Sequence, residues 1–184
     1  MFNTMDLKLI NNHQAILVQI IRSIQLKKVL SDIDPEPDLN FWRLIHGGFL
    51  DLSVIEWCKI FGENSENTHW KVLVDSDEGK SNFRDNLFSH LSISSAQWDE
   101  NWNHLKDYRN DHVAHHNRDS SVAKYPDLDI ALNSSFYYYS YLEGLTEGDR
   151  IDTIEAYAER FYKQSRQIAE QAVAATSIFN ETVL

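Results

Sequence analysis

Trp98-Asp99-Glu100-Asn101-Trp102-Asn103-His104-Leu105-Lys106-Asp107-Tyr108-Arg109-Asn110-Asp111-His112-Val113-Ala114-His115-His116 carries both the fold signal and the chemistry of this chain. Steps of four and three link Trp98, Trp102, Leu105, Arg109, His112 and His116, which predicts a helix from Ala96 to about His115. Its face begins apolar and ends cationic, as expected of a helix that leaves a core for a cleft. Ser94 or Ser95 is placed to cap its start. Tyr108 to Asn117 gathers an arginine, an adjacent amide and three histidines, a density of anion-binding and proton-transfer groups found nowhere else in the chain.

Helical spacing also governs the segments on either side. From Asp6 to about Leu30, Leu7, Ile10, Leu17, Ile21 and Ile24 form one stripe, with Lys27 and Lys28 expected in the last turn, facing the negative end of the helix dipole. Pro35 and Pro37 mark a break between Ser31 and Asp38. A second helix is expected from Leu39 to Phe61, stopping at Gly62. Phe41, Leu44, Ile45, Phe49, Leu52, Ile55, Trp57 and Ile60 surround it, which predicts the most buried helix. Gly62 to Lys80 reads as a connector with a short helix or turn, and Ser81 to Leu91 as a third helix. After the opening stretch comes a polar loop, then a helix from about Leu128 to Leu145. Its rings at Phe136, Tyr137, Tyr138 and Tyr139 cannot all face one core, so some must meet a second element, a partner chain or solvent. A final helix is expected from about Asp149 to Phe179, with Ile151, Ile154, Tyr157, Phe161, Ile168, Ala172 and Val173 on its buried side. The expectation is an all-α, single-domain bundle of five or six helices over 1–184.

Composition narrows the partners. The 184 residues suffice for one core, and five Trp, eight Tyr and nine Phe give that core large rings. A net charge of −11 counts against a protein that coats nucleic acid non-specifically, while leaving room for a locally basic cleft. The single cysteine, Cys58, lies in an apolar helical run and reads as a buried, inert thiol. Its lack of a partner fits a reducing cytoplasm. No apolar run approaches membrane-spanning length and no export signal is evident, so a cytoplasmic protein without a membrane partner is expected.

The chemistry of the cluster follows from its residue types. A guanidinium grips phosphate through parallel hydrogen bonds at any physiological pH, and histidine moves protons near neutrality. Arg109 with Asn110 and a nearby histidine therefore suits metal-free cleavage of an RNA phosphodiester. Asn110 would orient the arginine or donate to an oxyanion. His112 and His116, one helical turn apart, invite a zinc reading. The metalloprotease pattern needs a glutamate beside the first histidine, however, where Asp111 stands, and no third ligand is evident. No metal or cofactor is expected.

Tyr108-Arg109-Asn110-Asp111-His112-Val113-Ala114-His115 resembles the Tyr-Arg-Asp/Asn-x-x-x-Ala-His form of the HEPN superfamily motif, in the branch associated with bacterial abortive infection. The segment Phe49 to Gly62, the pair His69-Trp70 and Tyr125-Pro126-Asp127-Leu128-Asp129 resemble the same branch. The resemblance implies a metal-independent endoribonuclease of a toxin, phage-defence or RNA-processing system. It also implies a homodimer whose two motifs line one cleft, with RNA as substrate and an antitoxin or other protein as a further partner. Some members are catalytically silent, which leaves a nucleotide-, RNA- or protein-binding dimer as the alternative. Residue by residue, Arg109 and Asn110 map directly, and the histidine stays open. The preceding alanine favours His115. Regular α-helix geometry favours His116, because seven residues return nearly to the same face while six land about 120° away. His112 is the third candidate.

Overall fold

Four consecutive rings point to every side of a helix, so they can be buried only where that helix has neighbours all round. The computed structural model, which describes residues 4–34, 37–74, 76–114, 125–146 and 152–179, meets this demand. The rings lie on α5 (Asp129–Leu145), which packs against α1 (Thr4–Ile33), α3 (Asp77–Leu91) and α6 (Ile154–Thr176). Completing the bundle are α2 (Asn40–Phe61), a 3-10 turn at Trp70–Val72 and α4 (Ser95–Tyr108), with no strand among the described residues. The fold is all-α, as expected. One buried apolar cluster draws on all six helices.

Tyr138 is wholly buried, Phe136 and Tyr139 nearly so, and the half-buried Tyr137 and Tyr141 stand edge-on to Phe83 with ring centroids 5.2 and 5.1 Å away. The second element that the ring run required is therefore α3. This corrects the expectation that α2 would be the most enclosed helix. The later turns of α2 are buried through Leu50, Val54, Trp57, Ile60 and Phe61, but Phe41 and Leu44 are 55% and 77% exposed. The first turns of α2 dock through Trp42, whose indole N–H donates to Thr176 Oγ1 of α6, and this turns Phe41 and Leu44 outward.

Several helix ends also differ from expectation: α6, expected from about Asp149 to Phe179, starts at Ile154 behind the Thr153 cap and stops at Thr176. Helix α1 continues to Ile33, leaving Lys27 and Lys28 inside it rather than in its last turn. The stop falls at Asp34, the residue that Pro35 biases away from helical backbone. Helix α3 starts at Asp77 rather than Ser81, because Ser76 Oγ accepts the Gly79 N–H at 3.0 Å and Asp77 and Glu78 suit the positive first turn. Ile168, expected on the buried side of α6, is 69% exposed, although Ser165 one turn before it is buried. Leu7 is likewise exposed. Ile151 lies outside the described residues. No helix among the described residues is long and apolar enough to cross a membrane.

Two expected caps are in place. Ser94 accepts from the Gln97 backbone while the Gln97 side chain returns to the Ser94 N–H, a reciprocal capping box. The Gly62 N–H donates to the Cys58 carbonyl at 2.9 Å and closes α2. Its φ is negative, so the glycine is required by space: a Cβ there would lie 2.3 Å from that carbonyl oxygen.

Beside Tyr138 sits His13, also wholly buried, with Nδ1 2.8 Å from the phenol oxygen. Burial lowers the His13 pKa to about 4, and burial with Lys71 nearby lowers that of His69 to about 4. Both are held neutral when folded, and in the unfolded chain they protonate near 6.5. Their contribution to stability is thus complete above about pH 6.5 and is lost as pH falls toward 4, at roughly 1.4 kcal/mol per pH unit for each. Urea denaturation at pH 7 and pH 5 should show about 2 kcal/mol lost through His13 alone. His13→Gln should remove that part of the pH dependence, and an unchanged dependence would take His13 out of the account.

Candidate functional site

The apolar face of α4 ends at Tyr108. Leu105 and Tyr108 are buried in the bundle, and the Tyr108 hydroxyl donates to Asp51 Oδ1 on α2 at 2.7 Å. Asp51, which stands among apolar residues in the sequence, is thereby a packing partner. Burial and the Asp51 carboxylate both push the Tyr108 phenol well above the usual tyrosine range, so it is a donor at every physiological pH.

Beyond Tyr108 the expected continuous α-helix gives way to a π-helical turn, Arg109–Ala114. Hydrogen bonds in such a turn run from i to i+5, so the backbone is wider and successive side chains rotate by less than in an α-helix. Counting six or seven residues on an α-helical wheel therefore does not decide which histidine overlies Arg109. His115 and His116 lie outside the described residues. Arg109, Asn110 and His112 are described, and their arrangement is specific.

The Arg109 Nε and Nη2 both donate to Asn110 Oδ1, at 3.1 and 2.9 Å. Asn110 thus orients the guanidinium, one of the two roles expected of it. Arg109 is half-buried and, among the described residues, forms no ion pair with a carboxylate. It borders Cys58 of α2. Burial drives that thiol up to about 11, although Arg109 and Lys106 pull in the opposite direction. The cysteine is a protonated, buried wall of the site, as its sequence context implied. His112 is half-buried, with its ring 5.3 Å from that of Tyr108. After residues 115–124 the chain is described again at Tyr125, whose exposed ring meets Tyr108 edge-on at 6.3 Å. Tyr108 therefore contacts the residues on either side of the segment that holds the remaining two histidines.

Sequence reasoning overlooked one neighbour. Lys106, three residues before Arg109, lies 3.8 Å over the Trp102 ring and bonds Glu63 at 2.7 Å. The Lys106 ammonium, with help from Arg109, holds the Glu63 carboxyl below its ordinary range. The signal was present as Trp102 and Lys106 four apart on one helical face. Among the described residues no three His, Cys, Asp or Glu side chains converge in a way that could hold a metal ion. Chemically, the site offers an oriented guanidinium, a second cation one turn earlier and an imidazole one turn later.

The Tyr108–Asp51 bond anchors this arrangement and can be measured. Tyr108→Phe and Asp51→Ala should show a coupling energy of about 1.5–3 kcal/mol in a double-mutant cycle read by denaturant unfolding, the range of a hydrogen bond to a charged group. A coupling near zero would mean that the π turn is held by other contacts.

In comparisons with known proteins, no family model matches the chain, and no curated protein or solved structure matches it either.

Proposed function

We propose that this chain is a HEPN-like, metal-independent endoribonuclease of a toxin or phage-defence type, acting as a cytoplasmic homodimer in which two Arg109-centred motifs line one cleft. The observation that carries the reading is Arg109 itself. Asn110 occupies two of its donors and no carboxylate of the described residues forms an ion pair with it, so the donors not turned to Asn110 or Cys58 are left for a phosphate. The motif that follows supplies histidines to remove the proton of a neighbouring 2′-hydroxyl and to protonate the departing 5′-oxygen. Arg109 would then meet charge building on the phosphate oxygens. His115 is the first choice for the proton-transfer role, with His116 and His112 as the other candidates. The buried, unpartnered Cys58 is compatible with a reducing compartment.

A second reading has one observation in its favour. A net charge of −11 weakens general attraction to an RNA strand, which favours a catalytically silent dimer that binds a nucleotide, an RNA end or a partner protein. In a toxin system an antitoxin or other protein would be that partner.

The test is cleavage of mixed single-stranded RNA by purified, folded protein in excess chelator. Arg109→Ala should lower the rate about 100- to 1000-fold, the range for loss of one preorganised donor to transition-state charge. Single alanine substitutions at His115, His116 and His112 should leave one of the three as damaging as Arg109→Ala. Wild-type protein that is folded, dimeric and inactive would favour the silent binder. Activity that survives Arg109→Ala would end the catalytic proposal.

A further inference from the structure

Toward the start of α4 from the Arg109 site lies a cleft of different composition. One turn before Lys106 on α4 is Trp102, whose indole N–H donates to the Phe61 carbonyl at 2.6 Å and is fixed by it. Past Trp102 opens a hollow of about 170 Å³, with Trp70, Trp98, Trp102 and Phe88 among its walls and Lys71 and Arg84 at its edge. Lys71 Nζ lies 5.6 Å from the Trp70 ring centroid and Arg84 Cζ 5.6 Å from that of Phe88. Lys71 and Arg84 also line a second, wider hollow of about 570 Å³, where Lys80 joins them.

We propose that this cleft takes one unstacked nucleotide of single-stranded RNA, its base entering the aromatic hollow and its phosphate resting on Lys71, Lys80 and Arg84. The choice of RNA rests on the Arg109 reading above; the base-and-phosphate geometry does not. Aromatic rings offer a base its π-face whatever its sequence, and cations beside them track the backbone. The first hollow is the smaller of the two, and Lys71 and Arg84 line both, so a base in the first would place its sugar and phosphate toward the second. Those cations lie close enough to act on one another: burial and the charges of Arg84 and Lys80 lower the pKa of Lys71. A phosphate between them would relieve that repulsion.

Acids line both hollows, and in the wider one the three cations Lys71, Lys80 and Arg84 outnumber the two carboxylates. Asp77 is engaged by Lys80 at 3.6 Å, while Asp85 stands on the wall of the wider hollow. Asp99 lines the aromatic hollow, where a carboxylate repels phosphate and accepts from base N–H groups. Paired bases in a duplex cannot enter, so the cleft should discriminate by strandedness. From the aromatic hollow, Trp102 and Lys106 succeed one another along α4 and Arg109 opens the π turn after it, which gives the strand a path toward the guanidinium.

The experiment uses the full chain in chelator with a fluorescently labelled, fully 2′-O-methylated RNA, which lacks the hydroxyl that attacks in the proposed cleavage. Binding of the single strand should quench tryptophan fluorescence, and the same sequence as a duplex should bind at least about tenfold more weakly. Lys71→Glu with Arg84→Glu should weaken single-strand binding at least about tenfold and flatten its salt dependence. The conservative Trp102→Phe should retain binding with reduced quenching. An abasic oligonucleotide should bind without quenching. The proposal is overturned if the charge-reversed protein, with an unchanged circular dichroism spectrum, binds as tightly as wild type. It is equally overturned if duplex and single strand bind alike. Cleavage of ordinary RNA separates the two readings: an inactive wild type with the binding profile above loses only catalysis, whereas active charge-reversed protein with unchanged KM loses only the cleft.

Discussion

A fully enclosed tyrosine hydroxyl needs a partner, and the structure is arranged around the one that Tyr138 finds. Its phenol meets His13 of α1, and its ring meets Phe61 of α2 and Phe83 of α3, with centroids 5.9 and 5.5 Å away. One side chain thus connects the central helix to three others. A second polar contact, Trp57 Nε1 to Ser134 Oγ at 3.0 Å, ties α2 to the same helix. An unpaired polar group at either position would cost about 1–3 kcal/mol. The core therefore specifies its register through a few directional bonds as well as through apolar area.

The same logic explains which parts of the fold were legible in the sequence. Local signals held: the helical stripes, the Ser94 cap with Gln97, and the stop at Gly62 depend on residues within a few positions of one another. Burial of whole helices depends on what surrounds them, and periodicity is silent about that. Phe41 and Leu44 satisfy a helical stripe as well as Val54 and Trp57 do, yet only the latter pair is enclosed, with Trp57 meeting both α5 and α4. Ile168 has the same history. The run of rings on α5 was the one local feature that did demand neighbours on all sides. It marks the central helix more surely than the apolar residues around α2 do.

At the candidate site, adjacency was legible and winding was not. Arg109 beside Asn110 predicted an oriented guanidinium, and both of its hydrogen bonds to that amide are present. The π turn could not be foreseen, because nothing in Arg-Asn-Asp-His-Val-Ala distinguishes it from the end of an α-helix. Its effect is direct: a motif defined by the interval between arginine and histidine means different geometry on a wider helix. Lys106 and Glu63 were missed for another reason. Their pairing joins α4 to the connector after α2, a contact that sequence separation conceals.

Charge is where composition misleads most. An excess of eleven negative charges describes the chain as a whole, and fields at a surface are set by the nearest groups within about a Debye length. Lys106 near the end of α4 and Arg109 at the start of the π turn both act on Glu63, and the cleft past Trp102 adds Lys71, Arg84 and Lys80. The acids in their midst are Glu63 and Asp77, engaged by Lys106 and Lys80, together with Asp85 and Asp99 on the walls of the two hollows. Cations and acids are interleaved along this face, so its local balance of charge differs from the excess carried by the whole chain. Composition therefore bounds the charge of the whole chain, while the fold decides the charge of each patch, because only the fold brings residues as distant in sequence as Glu63 and Lys106 within reach of one another.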